Sequence, residues 1–485
     1  MKALKYLLVT ASVVSFLSAC ELAPTYKTPT TAAPATFKES AGWTPAVPAD
    51  SAPRGEWWRI FNDEDLNRIE VQVTDMNQNL KEAVARFDEA RALAKGARAD
   101  FYPTVDAAGG TTSGQQSRAI TNPLPHRHYD DNTVGLQASY ELDVWGRVRD
   151  TARAARDRAQ ASAGDLAAAS LSLHAEAAVD YLTLRGEDNE LVVLDDTIAT
   201  YEKALNLTQA RFKAGYAAEP DVAAAEASLE STRTQVAEVR LNRAKLEHAI
   251  AILTGQAPAA FSIASHAYQS DVPAVADVLP GELLQRRPDV AAAERRVEAA
   301  NYDIGVARAA FFPTFSLSAL LGQQAGTQAS LASAAATTWA LGASTLLNIF
   351  DGGRRRSESS RAHAAFDEAA ATYRQTVLNA YGDVEDNLVT IRLLGDEDRT
   401  QTAAVNAATR AMEQAQRRYT AGYANYYDVI TSQNIELSAK LTEVQIRYRQ
   451  TNAEVLLIKA LGGGWRTSDL ENREPVASVE GPGRR

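Results

Sequence analysis

The sequence has few of the side chains from which reactive sites are usually built. Its 485 residues include one cysteine, three methionines and six histidines. The single cysteine, Cys20, excludes a disulfide within the chain, and Met76 and Met412 give no support to a methionine-rich copper path. No glycine-rich phosphate loop, cysteine nucleophile or zinc-spaced His/Glu pair is present. His126 and His128 lack a third ligand, so we expect no metal site, no cofactor and no enzymatic activity.

Long hydrophobic runs and an excess of basic charge are also missing. After residue 20 no stretch of 18 apolar residues occurs, so any membrane crossing must use strands rather than helices. The 50 Lys and Arg residues are outnumbered by 61 Asp and Glu residues, which gives a formal net charge of −11. This acidic balance argues against a surface for nucleic acid or anionic lipid.

The first 19 residues are typical of a bacterial lipoprotein signal peptide. Lys2 and Lys5 precede an apolar stretch that is too short to span a bilayer, and the small residues Ser18 and Ala19 precede Cys20. We therefore expect Cys20 to carry a diacylglycerol and an N-acyl chain; an ordinary buried thiol is the alternative. Residues 20–55, rich in Pro, Thr and Ala, are predicted to form an extended tether, and residues 466–485 a disordered tail.

The remaining chain repeats itself at a spacing of about 207 residues. Residues 97–104 (ARADFYPT) return as residues 307–314 (ARAAFFPT), and residues 211–216 (RFKAGY) return as residues 418–423 (RYTAGY). Such similarity indicates an architecture built by duplication. We place a first structural repeat at 56–275 and a second at 276–465.

Each repeat is predicted to contain two strands, because apolar residues alternate with polar or small ones. Four strands are too few to close a barrel, two copies of the chain would give a barrel too narrow for much beyond side chains, and three copies would give twelve strands around an aqueous lumen. The edge of a soluble β-sandwich packed on helices is the alternative. The predicted strands cover about 101–113, 132–145, 311–323 and 338–350.

A long helix is predicted after each pair of strands, at about 147–185 and 354–394, with return helices after turns. In the second, apolar residues recur at spacings of four and three, as in a coiled coil: Phe366, Ala370, Tyr373, Val377, Ala380 and Val384. We place the two turns at Leu184, Arg185 and Gly186, and at Ile391, Arg392 and Gly395. The predicted fold class is α+β, with antiparallel coiled-coil helices, four strands and an internal repeat.

Five motifs resemble those of the TolC-like outer-membrane factors, the outer membrane efflux protein family, in its lipoprotein branch of NodT or OprM type. They are Trp57-Trp58 with Phe61 and Asp63, Tyr140 to Arg147 (YELDVWGR), Leu283 to Val290 (LLQRRPDV), Ile349 to Arg354 (IFDGGR) and Ala460 to Trp465 (ALGGGW).

The resemblance implies a homotrimer with a twelve-stranded outer-membrane β-barrel and a long α-helical barrel that extends into the periplasm. It also implies docking to a periplasmic adaptor protein and, through the adaptor, to an inner-membrane pump of RND type.

A polar stripe on the second long helix is a candidate gate. Asn379, Asp383, Asp386 and Thr390 are spaced so that they share one face, displaced from the apolar seam. The resemblance implies an aspartate ring at a constricted periplasmic entrance, where Asp386 matches and Asp383 is the second candidate. An ordinary solvated helix face is the alternative. The two predicted turns are the candidate surfaces for the adaptor.

We expect an outer-membrane efflux duct for small toxic molecules. A duct for secreted polypeptides, and a lipid-anchored periplasmic coiled-coil protein that transports nothing, are the alternatives. Cys20 favours the first, because polypeptide-exporting proteins that resemble this fold commonly lack a lipoprotein cysteine. The alternating strands argue against the last.

Overall fold

The computed structural model describes residues 22–31, 36–40, 56–119, 127–268 and 287–465. The predicted signal peptide, Cys20, His126, the first half of the motif at 283–290 and the predicted tail at 466–485 lie outside the described residues.

Seven α-helices and four strands make up most of the described chain. The helices are α1 (Glu64–Met76), α2 (Gln78–Ala99), α3 (Arg147–Lys213), α4 (Glu219–Leu253), α5 (Pro288–Ala309), α6 (Arg354–Thr420) and α7 (Tyr426–Ala460). The strands are β1 (Thr104–Gln115), β2 (His128–Leu142), β3 (Thr314–Ala325) and β4 (Thr337–Leu346). The predicted α+β class and the four strands are confirmed. None of the described helices is both long enough and apolar enough to cross a membrane.

The chain packs as two units. The first takes its described residues from Met1–Thr30, Phe87–Ser162 and Ala292–Arg374, and it contains the four strands. The second takes them from Thr31–Arg86, Ala163–Ala291 and Gln375–Arg485.

The four strands form one antiparallel sheet in the order β1-β2-β3-β4. The register aligns the apolar positions of neighbouring strands: Leu136 pairs with Leu321, which in turn pairs with Trp339. The opposite face carries small and polar side chains, such as Gln137 and Ser318. The sheet therefore has one apolar face and one face that is mostly polar, as the alternation predicted.

The strand limits differ from the predicted ones by a few residues. Strands β1 and β3 each begin directly after a proline, Pro103 and Pro313, rather than at the preceding aromatic residues. Proline has no N–H for the ladder, which explains a start just after it. Strand β4 ends at Leu346, four residues before the predicted end.

The two longest helices, α3 and α6, contain 67 residues each, so that each extends about 100 Å. The predicted turns at 184–186 and 391–395 are wrong, because both helices continue through them. A glycine inside a helix costs only about 1 kcal/mol relative to alanine, too little to end a helix of this length. The chain instead turns after Gly215 and Gly422, whose φ angles of 78° and 82° are left-handed and suit glycine.

The predicted coiled-coil seam of α6 is confirmed by burial. Val377, Ala380 and Val384 are almost fully buried, and Ala370 and Tyr373 are nearly so. Such a seam is the expected result of apolar residues recurring with a period close to 3.5.

The described parts of the predicted tether contact the helices. In the first unit, the amide of Asn301 donates to the carbonyl of Pro24 at 2.7 Å, and the hydroxyl of Thr28 donates to Glu294 at 3.0 Å. In the second unit, Phe37 is buried against the ring of Tyr381. Residues 22–31 and 36–40 are therefore packed against helices by backbone, side-chain and aromatic contacts, and the extended tether over residues 20–55 stays a prediction.

Candidate functional site

Asp383 and Asp386 lie on an exposed face of α6, as the polar stripe predicted. Their predicted location beside the end of the helix is wrong, because more than 30 residues of α6 follow each of them. Asp383 accepts a hydrogen bond from the guanidinium of Arg287 at 3.0 Å, and Arg287 also donates to the carbonyl of Ala460 at 3.2 Å. Asp383 thus belongs to a contact among α6, α7 and the residue that precedes α5. The proposed gate itself stays a prediction.

Arg392, predicted to lie in an exposed turn, is paired in the middle of α6. Its guanidinium contacts the carboxylate of Glu39. Two helical turns earlier, Glu385 accepts hydrogen bonds from the backbone N–H groups of Lys38 and Glu39, at 2.7 and 3.0 Å. These contacts fix the segment at residues 36–40 on α6.

Arg185 was predicted to lie in the other turn, but its side chain is fully buried. The guanidinium donates to Asp188 at 2.9 Å, to Asp65 at 3.1 Å and to the carbonyl of Ala264 at 2.8 Å. Asp188, also buried, pairs with Arg243 of α4 at 2.7 Å. A buried arginine is tolerated only with such partners, so this network ties α1, α3 and α4 together.

The other predicted turn residues lie inside the long helices as well. Leu184 is fully buried, and Gly186 packs so closely against the ring of Tyr448 that a Cβ atom there would lie 2.5 Å from the ring. Ile391 and Gly395 are interior to α6, and Gly395 faces open space. These residues cannot present an exposed turn to an adaptor.

The two hairpin ends, residues 214–218 between α3 and α4 and residues 421–425 between α6 and α7, have matching geometry. The N–H of Tyr216 donates to the carbonyl of Arg211, and that of Tyr423 donates to the carbonyl of Arg418, both at 2.8 Å. The rings of Tyr216 and Tyr423 are highly exposed. Gly215 and Gly422, whose left-handed φ angles suit glycine, mark both ends in the sequence.

A buried carboxylate that the sequence analysis missed lies on α7. Glu454 is only 3% exposed, and its Oε2 has no hydrogen-bond partner among the described residues. Burial raises the pKa of Glu454 to about 8. Its counterpart in the first repeat is Glu247, which pairs with Arg243 one helical turn earlier at 2.9 Å. The second repeat has Gln450 in place of that arginine, and this difference was a signal available in the sequence.

A second missed carboxylate, Glu70 of α1, is buried beside His174 of α3. Glu70 Oε2 lies 2.6 Å from His174 Nδ1, and the indole of Trp58 stacks on the imidazole at 4.5 Å between ring centroids. Burial raises the pKa of Glu70 to about 7, while the hydrogen bond from His174 acts in the opposite direction. Trp58, the second residue of the Trp57-Trp58 motif, thus packs against this pair.

Among the described residues, no group of three or more His, Cys, Asp or Glu side chains is arranged to hold a metal ion. The charged side chains described above join helices to one another and to the segments at 36–40 and 263–265. The geometry thus offers a sheet with an apolar face, long paired helices and two exposed hairpin ends.

Comparison with known proteins agrees with this architecture. The family model described as "Outer membrane efflux protein" matches residues 71–256 and 279–463. The outer membrane protein OprJ of Pseudomonas aeruginosa is 30% identical over 93% of this chain and 94% of its own length. The pyoverdine export outer membrane protein OpmQ of the same species is 32% identical, over 93% and 95%.

A solved structure of the outer-membrane channel OprN is similar throughout. It superposes with a TM-score of 0.83 at 32% identity and covers 92% of this chain and all of the OprN chain. The fold described above is therefore shared with a solved outer-membrane channel, and the chain belongs to the outer membrane efflux protein family.

Proposed function

We propose that three copies of the chain form a duct across the outer membrane, as the outer component of a tripartite efflux system for small toxic molecules. Membership of the family makes the chain an outer-membrane efflux protein. The number of copies, the partners and the cargo are the proposed part.

The observation that carries the proposal is the pair of open sheet edges. β1 and β4 are the outermost strands of the sheet, and in the described part of the chain neither pairs with a further strand. The edge of such a strand carries unpaired backbone N–H and C=O groups, which can form hydrogen bonds with a strand of another chain. Because the order is antiparallel throughout, β4 of one copy runs opposite to β1 of the next, so that the two edges can pair. Three copies then close a barrel of twelve strands.

The two faces of the sheet support a position in the membrane. Large apolar side chains on one face, including Val134, Leu136, Leu321, Trp339 and Leu341, are mostly exposed in the single chain. Lipid would cover them, whereas the small and polar side chains of the other face would line a water-filled lumen.

The proposed partners follow from the same arrangement. A periplasmic adaptor would dock at the hairpin ends, where Tyr216 and Tyr423 are exposed, and would connect the duct to an RND-type inner-membrane pump. Lipid attached to Cys20 would anchor the chain. The names of the relatives support small-molecule cargo, since OpmQ exports pyoverdine and the Pseudomonas putida protein TtgC belongs to a toluene efflux pump.

The test combines mass and conductance of the purified full-length protein. A native mass of three chains and discrete currents in planar bilayers are expected. Asp383→Ala with Asp386→Ala should raise the currents and weaken block by divalent cations. The reason is that a ring of carboxylates attracts cations, and cations held in the ring obstruct the lumen. Asp367→Ala, an exposed aspartate on the same helix, is the matched control.

The outcomes separate the parts of the proposal. Unchanged currents in the double variant would leave the duct but remove the acidic gate. A trimer that conducts nothing in any condition would contradict the duct, and a mass of one or two chains would contradict the twelve-stranded barrel.

A further inference from the structure

The chain contains two helical hairpins that are alike in length but differ in which surfaces are covered. Hairpin 1 is residues 163–213 of α3 with α4, and hairpin 2 is residues 375–420 of α6 with α7. Helices α6 and α7 begin and end 207 residues after α3 and α4. Residues 168–213 and 219–253 of hairpin 1 therefore have counterparts 207 positions later in hairpin 2.

Hairpin 1 caps the end of hairpin 2. The guanidinium of Arg211 donates to the carbonyls of Tyr419 and Thr420, at 2.7 and 2.8 Å, and lies 4.3 Å from the centre of the Tyr419 ring. The last carbonyls of a helix have no partner within the helix and carry partial negative charge, so an arginine there is favourable.

The counterpart of this arginine is not engaged. Arg418 is exposed, and its side chain has no hydrogen bond or ion pair with any residue that the structure describes. Its expected target, the end of α3, is equally uncovered: Phe212, the counterpart of Tyr419, is 44% exposed, whereas Tyr419 is 4% exposed. Lys213 takes the place of Thr420 and offers the same backbone carbonyl.

The apolar contact beside the cap shows the same imbalance. Ala204, Ala225, Tyr419, Tyr426 and Val429 form a buried cluster between the two hairpins of the chain. The counterparts, which are Ala411, Ser432, Phe212, Glu219 and Val222, are all partly or largely exposed in the single chain. The cluster of the first set is thus buried between the two hairpins of one chain. The counterpart residues could form an equivalent cluster, but in the single chain the members from hairpin 1 and those from hairpin 2 remain exposed.

We propose that these two sets of exposed residues meet between neighbouring copies of the chain, so that Arg418 caps the end of α3 of the next subunit. The inference rests on the proposed ring of three copies, in which hairpins 1 and 2 alternate. The guanidinium of Arg418 donates to the carbonyls of Phe212 and Lys213 of the partner subunit and stacks on the phenyl ring. Ala411 and Val222 of the partner subunit then pack beside it. Each subunit boundary at the hairpin ends repeats the boundary within the subunit.

Cross-linking of the full-length protein tests this contact while leaving Arg418 in place. Ala411→Cys with Val222→Cys should give covalent dimers and trimers with a short bis-maleimide. The matched pair within the chain, Ala204→Cys with Val429→Cys, should react without joining subunits. Wild type shows any background from Cys20, and the native mass of each sample shows whether the trimer is present.

Arg418→Ala, added to the Ala411→Cys and Val222→Cys background, should slow formation of the joined species severalfold. Arg417→Ala, which removes only an exposed pair with Glu413, should leave the rate unchanged.

An intact trimer without intersubunit product, while the intrachain pair reacts, would overturn the contact and leave the duct standing. Loss of the trimer in every sample would instead count against the proposed function. An equal rate with and without Arg418 would overturn the capping role of that arginine.

Discussion

The carboxyl group of Glu454 is buried, and its Oε2 has no hydrogen-bond partner among the described residues. Replacing Glu454 with glutamine should therefore stabilise the protein, and the gain should increase as the pH rises. The pKa of Glu454 rises from an ordinary 4.5 to about 8 because of burial. A difference of this size corresponds to at most about 5 kcal/mol per chain. Since unfolding entropy scales with chain length, 1 kcal/mol corresponds to a shift of only about 1 °C in Tm for a chain of 485 residues.

The sign follows from proton binding. Below pH 4.5 the group is protonated in both states, so ionisation contributes nothing. Between pH 4.5 and 8 the unfolded chain releases the proton while the folded chain retains it, so the stability of wild type falls as the pH rises. Glu454→Gln removes this loss because glutamine does not titrate. The Tm of the variant minus that of wild type should therefore grow by as much as about 5 °C between pH 5 and pH 9.

The measurement is thermal unfolding followed by circular dichroism at several pH values in one detergent. Comparing differences across pH cancels any constant effect of the amide. Glu247→Gln is the matched control, because Glu247 has Arg243 as its partner; it should lower Tm at pH 7 by about 1–3 °C, as expected for loss of a charged hydrogen bond. A Tm difference for Glu454→Gln that is flat or that shrinks as the pH rises would refute the reasoning.

Further predictions concern glycines in or just after the long helices. Gly395→Ala should raise the free energy of unfolding by up to about 1 kcal/mol, because the site is helical and open, whereas Gly422→Ala should lower it by about 1–2 kcal/mol, because alanine is strained at a left-handed φ angle. Thermal unfolding of both variants checks this, and a destabilising Gly395→Ala would argue for a turn at residue 395. Gly186→Ala should destabilise because its Cβ would clash with the ring of Tyr448, and Tyr448→Ala in the same chain should recover part of the lost Tm; no recovery would place the strain elsewhere.

The sequence alone was sufficient for the repeat, the four strands and the coiled-coil seam. Periodicity reports which face of an element is apolar, and Leu136, Leu321 and Val377 lie on the faces that it predicted. The strand starts were missed by a few residues because the aromatic residues before Pro103 and Pro313 continue the apolar pattern. The alternation of apolar and polar residues does not show where the strand ladder begins, which depends on the absence of a backbone N–H in proline.

The turns and the charged residues were harder to predict. Arg185 sits in a polar stretch that reads as exposed, and only the fold brings Asp65, Asp188 and the carbonyl of Ala264 to it. Those partners are up to 120 residues away in the chain. Glu454 could have been identified by aligning the repeats, since Gln450 stands where the first repeat has the arginine of an ion pair.

The cap that Arg211 places on the end of α6 also limits how the protein can change in length. The cap holds the ends of α3 and α6 at one level, and an insertion of one residue in either helix would shift that level by about 1.5 Å and rotate everything beyond it by about 100°. A change in one hairpin alone would break the cap. Lengthening or shortening is compatible with the fold only when both hairpins change together and by whole heptads. Insertions or deletions in one repeat of the gene must therefore have been matched by equal changes in the other since the duplication.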